Sequence, residues 1–420
     1  MKRVDIIYFE ASSGHKSAAE ALRYGLLQEN PDWEVRCVDL EDILRCQTRL
    51  LAFIYTTSVN FFNWCMRRES YFFFPTCMKL SIAYARVNTR VKMLRFLLRW
   101  TSDFWKDSPP DAVISVTPMK HTIVYEAARC INPKVHCITI PVDFSEMIPG
   151  YWYQPAIEQH YLVGSDRLHK DALASGVRPS DVTPLGGMII DPRFYETNSI
   201  NRTEFLEAMG LDPSLPTGVI SFGGQGTVNV LRCAKKIAER KIPANLICLC
   251  GRNEELRQKV SKLTSCYPIA AHGFTEAPPV DILRMADFLI GKPGTMTLTE
   301  SLITRTAFIF IKSQGLRSVQ GSNEEWVLEN GIGVKAETPG DVDEAVLRVL
   351  DDARMLERID DCRHDGVYDA IREITEMVKS NVRIDAPSSE VTTRSPKSRL
   401  HSGTTIPLDV RNLRGCDTVK

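Results

Sequence analysis

Short apolar runs alternate with longer amphipathic stretches along most of this 420-residue chain. In the first half the apolar runs fall at 4–9 (VDIIYF), 34–38 (EVRCV), 112–116 (AVISV), 135–140 (VHCITI) and 159–163 (QHYLV). In the second half they fall at 218–222, 245–250 (NLICLC), 267–271, 287–290, 307–311 (AFIFI) and 331–335. The stretches between them carry apolar residues at helical spacing. Residues 15–27 place Ala18, Ala19, Leu22 and Leu26 on one face, and 228–240, 341–357 and 367–380 read as further helices. Continuous apolar strands separated by helices predict parallel sheets covered on both faces. The expected class is therefore α/β, with two doubly wound, Rossmann-like domains facing a cleft. We place the first at 1–195 and the second at 196–365, with the boundary near Asp191 to Thr203. A C-terminal helix (366–384) follows. From 385 to 420 the chain turns to Ser, Thr, Pro and Arg without period, which predicts a disordered tail.

One segment departs from this alternation. From Arg45 to Trp105 the chain is dense in aromatic and basic residues, including Phe61, Phe62, Trp64, Phe72, Phe73 and Phe74 beside Arg67, Arg68, Arg95 and Arg99. Aromatics that enter a headgroup boundary, next to cations that attract anionic lipid, suit a membrane-facing region. Packing of the same aromatics on the first sheet is the plain alternative. No stretch reaches the roughly 18 apolar residues of a membrane span, and no secretory signal opens the chain. The expected location is cytoplasmic and peripheral to a membrane. The charge count is balanced, 52 basic against 52 acidic, so nothing points to nucleic acid. Twelve cysteines occur without a C-x-x-C pair, and Cys137, Cys248 and Cys250 sit inside apolar strands. These read as small core residues of a reducing compartment.

Three glycine turns carry the candidate chemistry. Residues 286–301 (ADFLIGKPGTMTLTES) read as a strand, a Gly/Pro turn and a helix start. Free backbone N–H groups and the helix dipole make such a turn an anion site, and Lys292 adds a full charge. Glu300, about one and a half turns into the helix, can accept from sugar hydroxyls. A diphosphate joined to a ribose is what this turn would hold. A second turn is GVISFGGQG at 218–226, where Gly223, Gly224 and Gly226 allow close backbone approach. A third is ASSG at 11–14, running into a helix that begins near His15. None fits G-x-G-x-x-G or G-x-x-x-x-G-K-[ST], which argues against a plain dinucleotide fingerprint and a P-loop.

Together these motifs resemble the monogalactosyldiacylglycerol synthases of plastids and the related processive diacylglycerol glucosyltransferases of bacteria. SSGHKSAAEA at 12–21 is similar to the family's G-G-G-H-x-x-x-A-E-A, and TPLGGMIIDPRF at 183–194 to its V-x-G-I-P-[IV]-x-P-x-F. In the second half GGQG (223–226), CGRNEELRQKV (250–260), HGF (272–274) and KPGTMTLTE (292–300) follow the family's order. The last is the most specific, matching K-P-G-G-x-T-x-x-E. The resemblance implies a GT-B fold and inverting transfer of a hexose from UDP-glucose or UDP-galactose to a diacylglycerol-type lipid at an anionic membrane surface, with the 45–105 segment in the membrane-facing position. No cofactor or metal is implied beyond the donor substrate.

The resemblance also implies roles. Gly223, Gly224, Gln225, Arg252, Lys292, Pro293, Gly294, Thr295 and Met296 would bind the nucleotide-sugar, with the backbone at Gly294 to Met296 and Lys292 or Arg252 meeting the diphosphate. His272, Gly273 and Phe274 would cradle uracil, and Glu300 the ribose. On the acceptor side stand Gly14, His15, Thr117, Pro118 and Trp152. His15 is the preferred base, with Asp143 in competition. Three departures stand out. Thr117-Pro118 replaces a His-Pro pair, Thr295 replaces the second glycine after Lys-Pro, and the sugar-contacting P-G-Q-E-x-x-N becomes 317–323 (RSVQGSN). There Asn323 matches and Gln320 stands for the carboxylate. These leave open another acceptor, polyprenyl-linked or non-lipid, and a catalytically silent UDP-sugar-binding protein.

Overall fold

A computed structural model describes residues 1–9, 13–45, 57, 101–119, 121–146, 148–196, 200–275, 279–312, 317–362 and 365–380. Most of the 45–105 segment and all of 385–420 lie outside them, as do residues 381–384 of the expected C-terminal helix.

Two six-stranded sheets organise the chain, and every strand pair in both is parallel. The first comprises β1 (Arg3–Tyr8), β2 (Glu34–Asp39), β3 (Ala112–Ser115), β4 (His136–Thr139), β5 (His160–Val163) and β6 (Val182–Pro184), in the spatial order β2-β1-β3-β4-β5-β6. The second comprises β7 (Thr217–Ser221), β8 (Asn245–Leu249), β9 (Ile269–His272), β10 (Phe288–Gly291), β11 (Ala307–Ile311) and β12 (Gly333–Ala336), ordered β12-β11-β10-β7-β8-β9. The apolar runs become strands because both of their faces are covered: β3, β5, β10 and β11 are buried at every position.

Strand order fixes where ligands can sit. In the first sheet the order reverses between β1 and β3, and in the second between β7 and β10. Neighbouring loops diverge at such points and open a crevice beyond the carboxyl ends of the strands. The three glycine turns follow β1, β7 and β10.

Three differences from the sequence reading have local causes. β6 was not expected; it is a three-residue edge strand that runs into the TPLGG motif, too short for a pattern of its own. The helix expected at 341–357 is two, Val342–Asp351 and Met355–Asp360. Asp352 leaves helical geometry at φ −90°, ψ 84°, and its carboxylate takes the Arg354 N–H at 3.1 Å. The first helix begins at Ser13, ahead of His15.

The C-terminal helix, Gly366–Ser380, returns to the first half and packs on the first helix, Ser13–Glu29. Asn30 Nδ2 donates to Thr375 Oγ1 at 2.9 Å, and Gly186 N–H to Asp369 Oδ2 at 2.8 Å. Within β1 a charge is buried: Asp5 accepts two bonds from Arg36 (2.8 and 2.6 Å) and one from Trp105 Nε1 (2.7 Å). A carboxyl taken so fully out of water is costly to a fold unless it is paired and hydrogen-bonded in this way.

Candidate active site

On the first sheet the site is built at the β1/β3 crossover. His15 lies in the first turn of the helix after β1 and is buried. Its Nδ1 stands 2.6 Å from the Val116 carbonyl, just past β3. A carbonyl only accepts, so Nδ1 carries the proton and Nε2 keeps a lone pair. The ring sits between Phe9 (centroids 4.5 Å apart) and Trp152 (6.2 Å). Burial lowers the His15 pKa to about 4, against a smaller upward pull from the Val116 bond; the imidazole is neutral at pH 7. Gly14 precedes it, half-buried.

Thr117 and Pro118 are buried beside it. The Thr117 backbone is fully engaged: its N–H meets Ser115 Oγ at 3.3 Å and its carbonyl accepts from His121 Nε2 at 2.9 Å.

Trp152 is fully buried, and its indole N–H donates to Asp143 Oδ2 at 3.0 Å. Burial lifts the Asp143 pKa to about 6, opposed by hydrogen bonds from Trp152 and from the Thr295 side chain. Thr295 belongs to the second half. Asp143, on the first half, thus lies near the loop after β10.

On the second sheet the β10 loop leads into the helix Thr295–Ile303, whose N-cap, Gly294, has no side chain to cap the first amides. Those N–H groups are open to an anion. Lys292 lies over the turn after β7: a methyl group at Gly223 would stand 3.7 Å from its Nζ. Burial depresses the Lys292 pKa. Burial also raises that of Glu300, to about 8. Neither side chain has a hydrogen-bond or ion-pair partner among the described residues. Both side chains are half-buried, and a polar head left without a partner in so sheltered a place is costly to a fold.

The β7 turn needs its glycines. Gly223 and Gly226 adopt φ of 95° and 69°, and a Cβ on Gly226 would stand 1.9 Å from the Cys250 carbonyl oxygen. This pins the turn to the loop after β8, where the Arg252 N–H donates to the Gly224 carbonyl at 2.9 Å. The Arg252 guanidinium lies 3.5 Å from the ring centroid of Phe274, which is 44% exposed. Gln225 and Gly273 are exposed on the same rim, and His272 ends β9. Asn323 is fully buried; its Nδ2 donates to the Pro293 carbonyl (2.9 Å) and to Thr295 Oγ1 (3.3 Å). Met296 is partly buried against the core. Gln320 starts within the helix Arg317–Glu329, but its side chain is outside the described part.

The structure therefore gathers two sets: His15, Trp152 and Asp143 with Thr295, and Lys292 with the Gly223–Gly226 turn, beside the Arg252–Phe274 rim. Sequence reasoning missed three contributors: the Val116 carbonyl that orients His15, and Phe144 and Trp326, which stack with centroids 4.6 Å apart. A signal existed for the last two, since Phe144 adjoins Asp143 and Trp326 lies three residues beyond Asn323 on one helix face. Among the described residues no three His, Cys, Asp or Glu side chains cluster as metal ligands.

No family model matches the chain. It is 22% identical over 400 residues to the chloroplast monogalactosyldiacylglycerol synthase of Spinacia oleracea, covering 91% of this chain and 73% of that protein. It is 25% identical over 369 residues to a probable monogalactosyldiacylglycerol synthase 2 of Oryza sativa, covering 83% and 73%. Among solved structures, MnaA of S. aureus with UDP superposes with TM-score 0.56 at 13% identity, covering 90% of this chain and 96% of that one. MurG of Acinetobacter baumannii gives 0.54 at 13%, covering 90% and all of that chain. The chain is thus similar along most of its length to the monogalactosyldiacylglycerol synthases, and its fold is that of the GT-B glycosyltransferases.

Proposed function

We propose that this protein is a UDP-sugar-dependent glycosyltransferase that moves a hexose, with inversion, onto a diacylglycerol-type lipid at a membrane surface. One observation carries the reading: Lys292 and Glu300 stand recessed and unpaired at the switch point of the second sheet. A nucleoside diphosphate supplies what each lacks. Its diphosphate pairs with Lys292 and the open amides of Thr295 and Met296, and its ribose hydroxyls donate to Glu300. The Phe274 rim with Arg252 offers a flat surface for uracil.

Transfer needs a base, a stabilised leaving group and an in-line path. The acceptor hydroxyl oxygen bonds to the anomeric carbon as its proton passes to the Asp143 carboxylate. The bond from that carbon to the diphosphate oxygen breaks, and its electron pair leaves with UDP. The growing charge is met by Lys292 and the helix N-terminus. Asp143 is a better base than His15 at neutral pH, since its pKa of about 6 exceeds the value of about 4 at His15 while leaving it mostly ionised. The acceptor hydroxyl has one proton to give, so His15, whose Nε2 also only accepts, lines the acceptor side without bonding that hydroxyl once Asp143 takes the proton. Charge neutralisation falls to side chains and backbone, with no metal assigned.

Among the described residues no helix is long and apolar enough to cross a membrane. The aromatic, basic 45–105 segment is assigned the membrane contact on its composition. The cytoplasmic, peripheral location stays part of this proposal. The test is Lys292→Met assayed by calorimetry with UDP and with uridine. UDP affinity should fall about 10- to 100-fold, the worth of one charge-assisted contact, while uridine affinity holds. Equal loss for both ligands would contradict the diphosphate assignment.

A further inference from the structure

The helix Arg317–Glu329 touches both sides of the cleft. Through Asn323 it holds the nucleotide-side loop at Pro293 and Thr295. One turn further, Trp326 stacks on Phe144 at 30° between ring planes. Phe144 follows Asp143 directly, is 3% exposed, and its carbonyl accepts from Ser165 Oγ at 2.6 Å. The ring is packed on all sides and its backbone, next to Asp143 in the chain, is tied at Ser165. The same helix also reaches Arg167 of the first half through Glu325 and Glu329, but exposed ion pairs hold little. The aromatic stack, between buried Phe144 and half-buried Trp326, is the apolar contact of the set.

We propose that Trp326 is a positioning residue for transfer: stacked on Phe144, it fixes the Asp143 loop against the nucleotide loop, so that the helix holding the donor side also sets where the acceptor proton is taken. This rests on the role given to Asp143 above. Ordinary core packing would make Trp326 matter for stability alone. A positioning role makes it matter for turnover while nucleotide binding is spared, because the uracil, ribose and diphosphate contacts lie on other elements.

The experiment compares the full chain with Trp326→Ala, Trp326→Phe and Phe144→Leu. It reads kcat and KM with UDP-glucose or UDP-galactose and diacylglycerol vesicles, UDP affinity by calorimetry, and amide hydrogen exchange of the peptide 141–153. Trp326→Ala should lower kcat about 10- to 100-fold, the scale of a misplaced catalytic group, with donor KM and UDP affinity within about threefold. Exchange in 141–153 should quicken by about tenfold or more while β7 and β10 are unchanged. Phe144→Leu should do the same, and Trp326→Phe should restore both readouts. Unchanged exchange in Trp326→Ala overturns the proposal, as does a kcat loss that Trp326→Phe does not rescue. If the wild-type chain turns over none of these substrates, quickened exchange with rescue upholds the positioning while the transfer reading falls.

Discussion

Replacing Glu300 by Gln should stabilise the ligand-free protein and weaken UDP binding together. The carboxyl has a pKa of about 8 in the fold against an ordinary 4.5, because burial penalises the ionised form. Between those values the unfolded chain has lost a proton that the folded chain retains, so stability falls as pH rises from about 4.5 to 8 and is level beyond, at about 1.4 kcal/mol per unit. At full desolvation the penalty at pH 7 would be roughly 3 kcal/mol. The residue keeps part of its surface in the cleft, which softens the effect, so we expect Glu300→Gln to gain about 1–3 kcal/mol at pH 7 and little at pH 4. In binding the sign reverses. Ribose hydroxyls donate to an ionised carboxylate in bonds of about 1.5–3 kcal/mol, so UDP affinity should fall about 10- to 150-fold at pH 8. Wild-type affinity should rise with pH up to about 8, with proton release on binding, and the variant should show neither. Urea unfolding and calorimetry at pH 4, 7 and 8 read all of this. A destabilised variant with unchanged UDP affinity would refute the reasoning, since Glu300 would then be a satisfied structural carboxyl.

Two further outcomes follow from the site and the fold. With Asp143 as the base, kcat should rise with pH through about 6 and then level, because the carboxylate must be ionised; a limb near 4 would instead assign the base to His15. Gly226→Ala should destabilise the protein by about 1–3 kcal/mol in urea unfolding, since a Cβ at φ 69° meets the Cys250 carbonyl; an unchanged midpoint would mean the turn relaxes freely.

Eleven of the twelve strands among the described residues were legible in the sequence because parallel strands are apolar on both faces, which leaves continuous runs such as AVISV and AFIFI. β6 escaped because three edge residues carry no period. The break at Asp352 escaped because the apolar spacing of 341–357 continues across it, while the stop is made by one carboxylate bonding its own backbone. The second-half turns were legible because they are contiguous in sequence: Lys292, Gly294 and Glu300 lie within nine residues. The other side of the cleft was harder. The His15–Val116 bond and the Phe144–Trp326 stack join residues 101 and 182 positions apart; Phe144 adjoins Asp143 and Trp326 lies one turn from Asn323, but no local pattern pairs residues over that separation. The electrostatics were also hidden, since an exposed and a desolvated Glu300 read alike in sequence. Thr295 shows the gap best: it appeared as a departure from a glycine pair, yet its side chain accepts from Asn323 and lies near enough to Asp143 to draw that carboxyl's pKa down.

The most direct test of the central claim follows UDP release and lipid products when the purified protein is incubated with UDP-glucose or UDP-galactose, with and without diacylglycerol in anionic vesicles. The proposed transfer predicts UDP release that depends on diacylglycerol, together with a glycosylated lipid. UDP binding without release, whichever sugar and whether or not lipid is present, would contradict it.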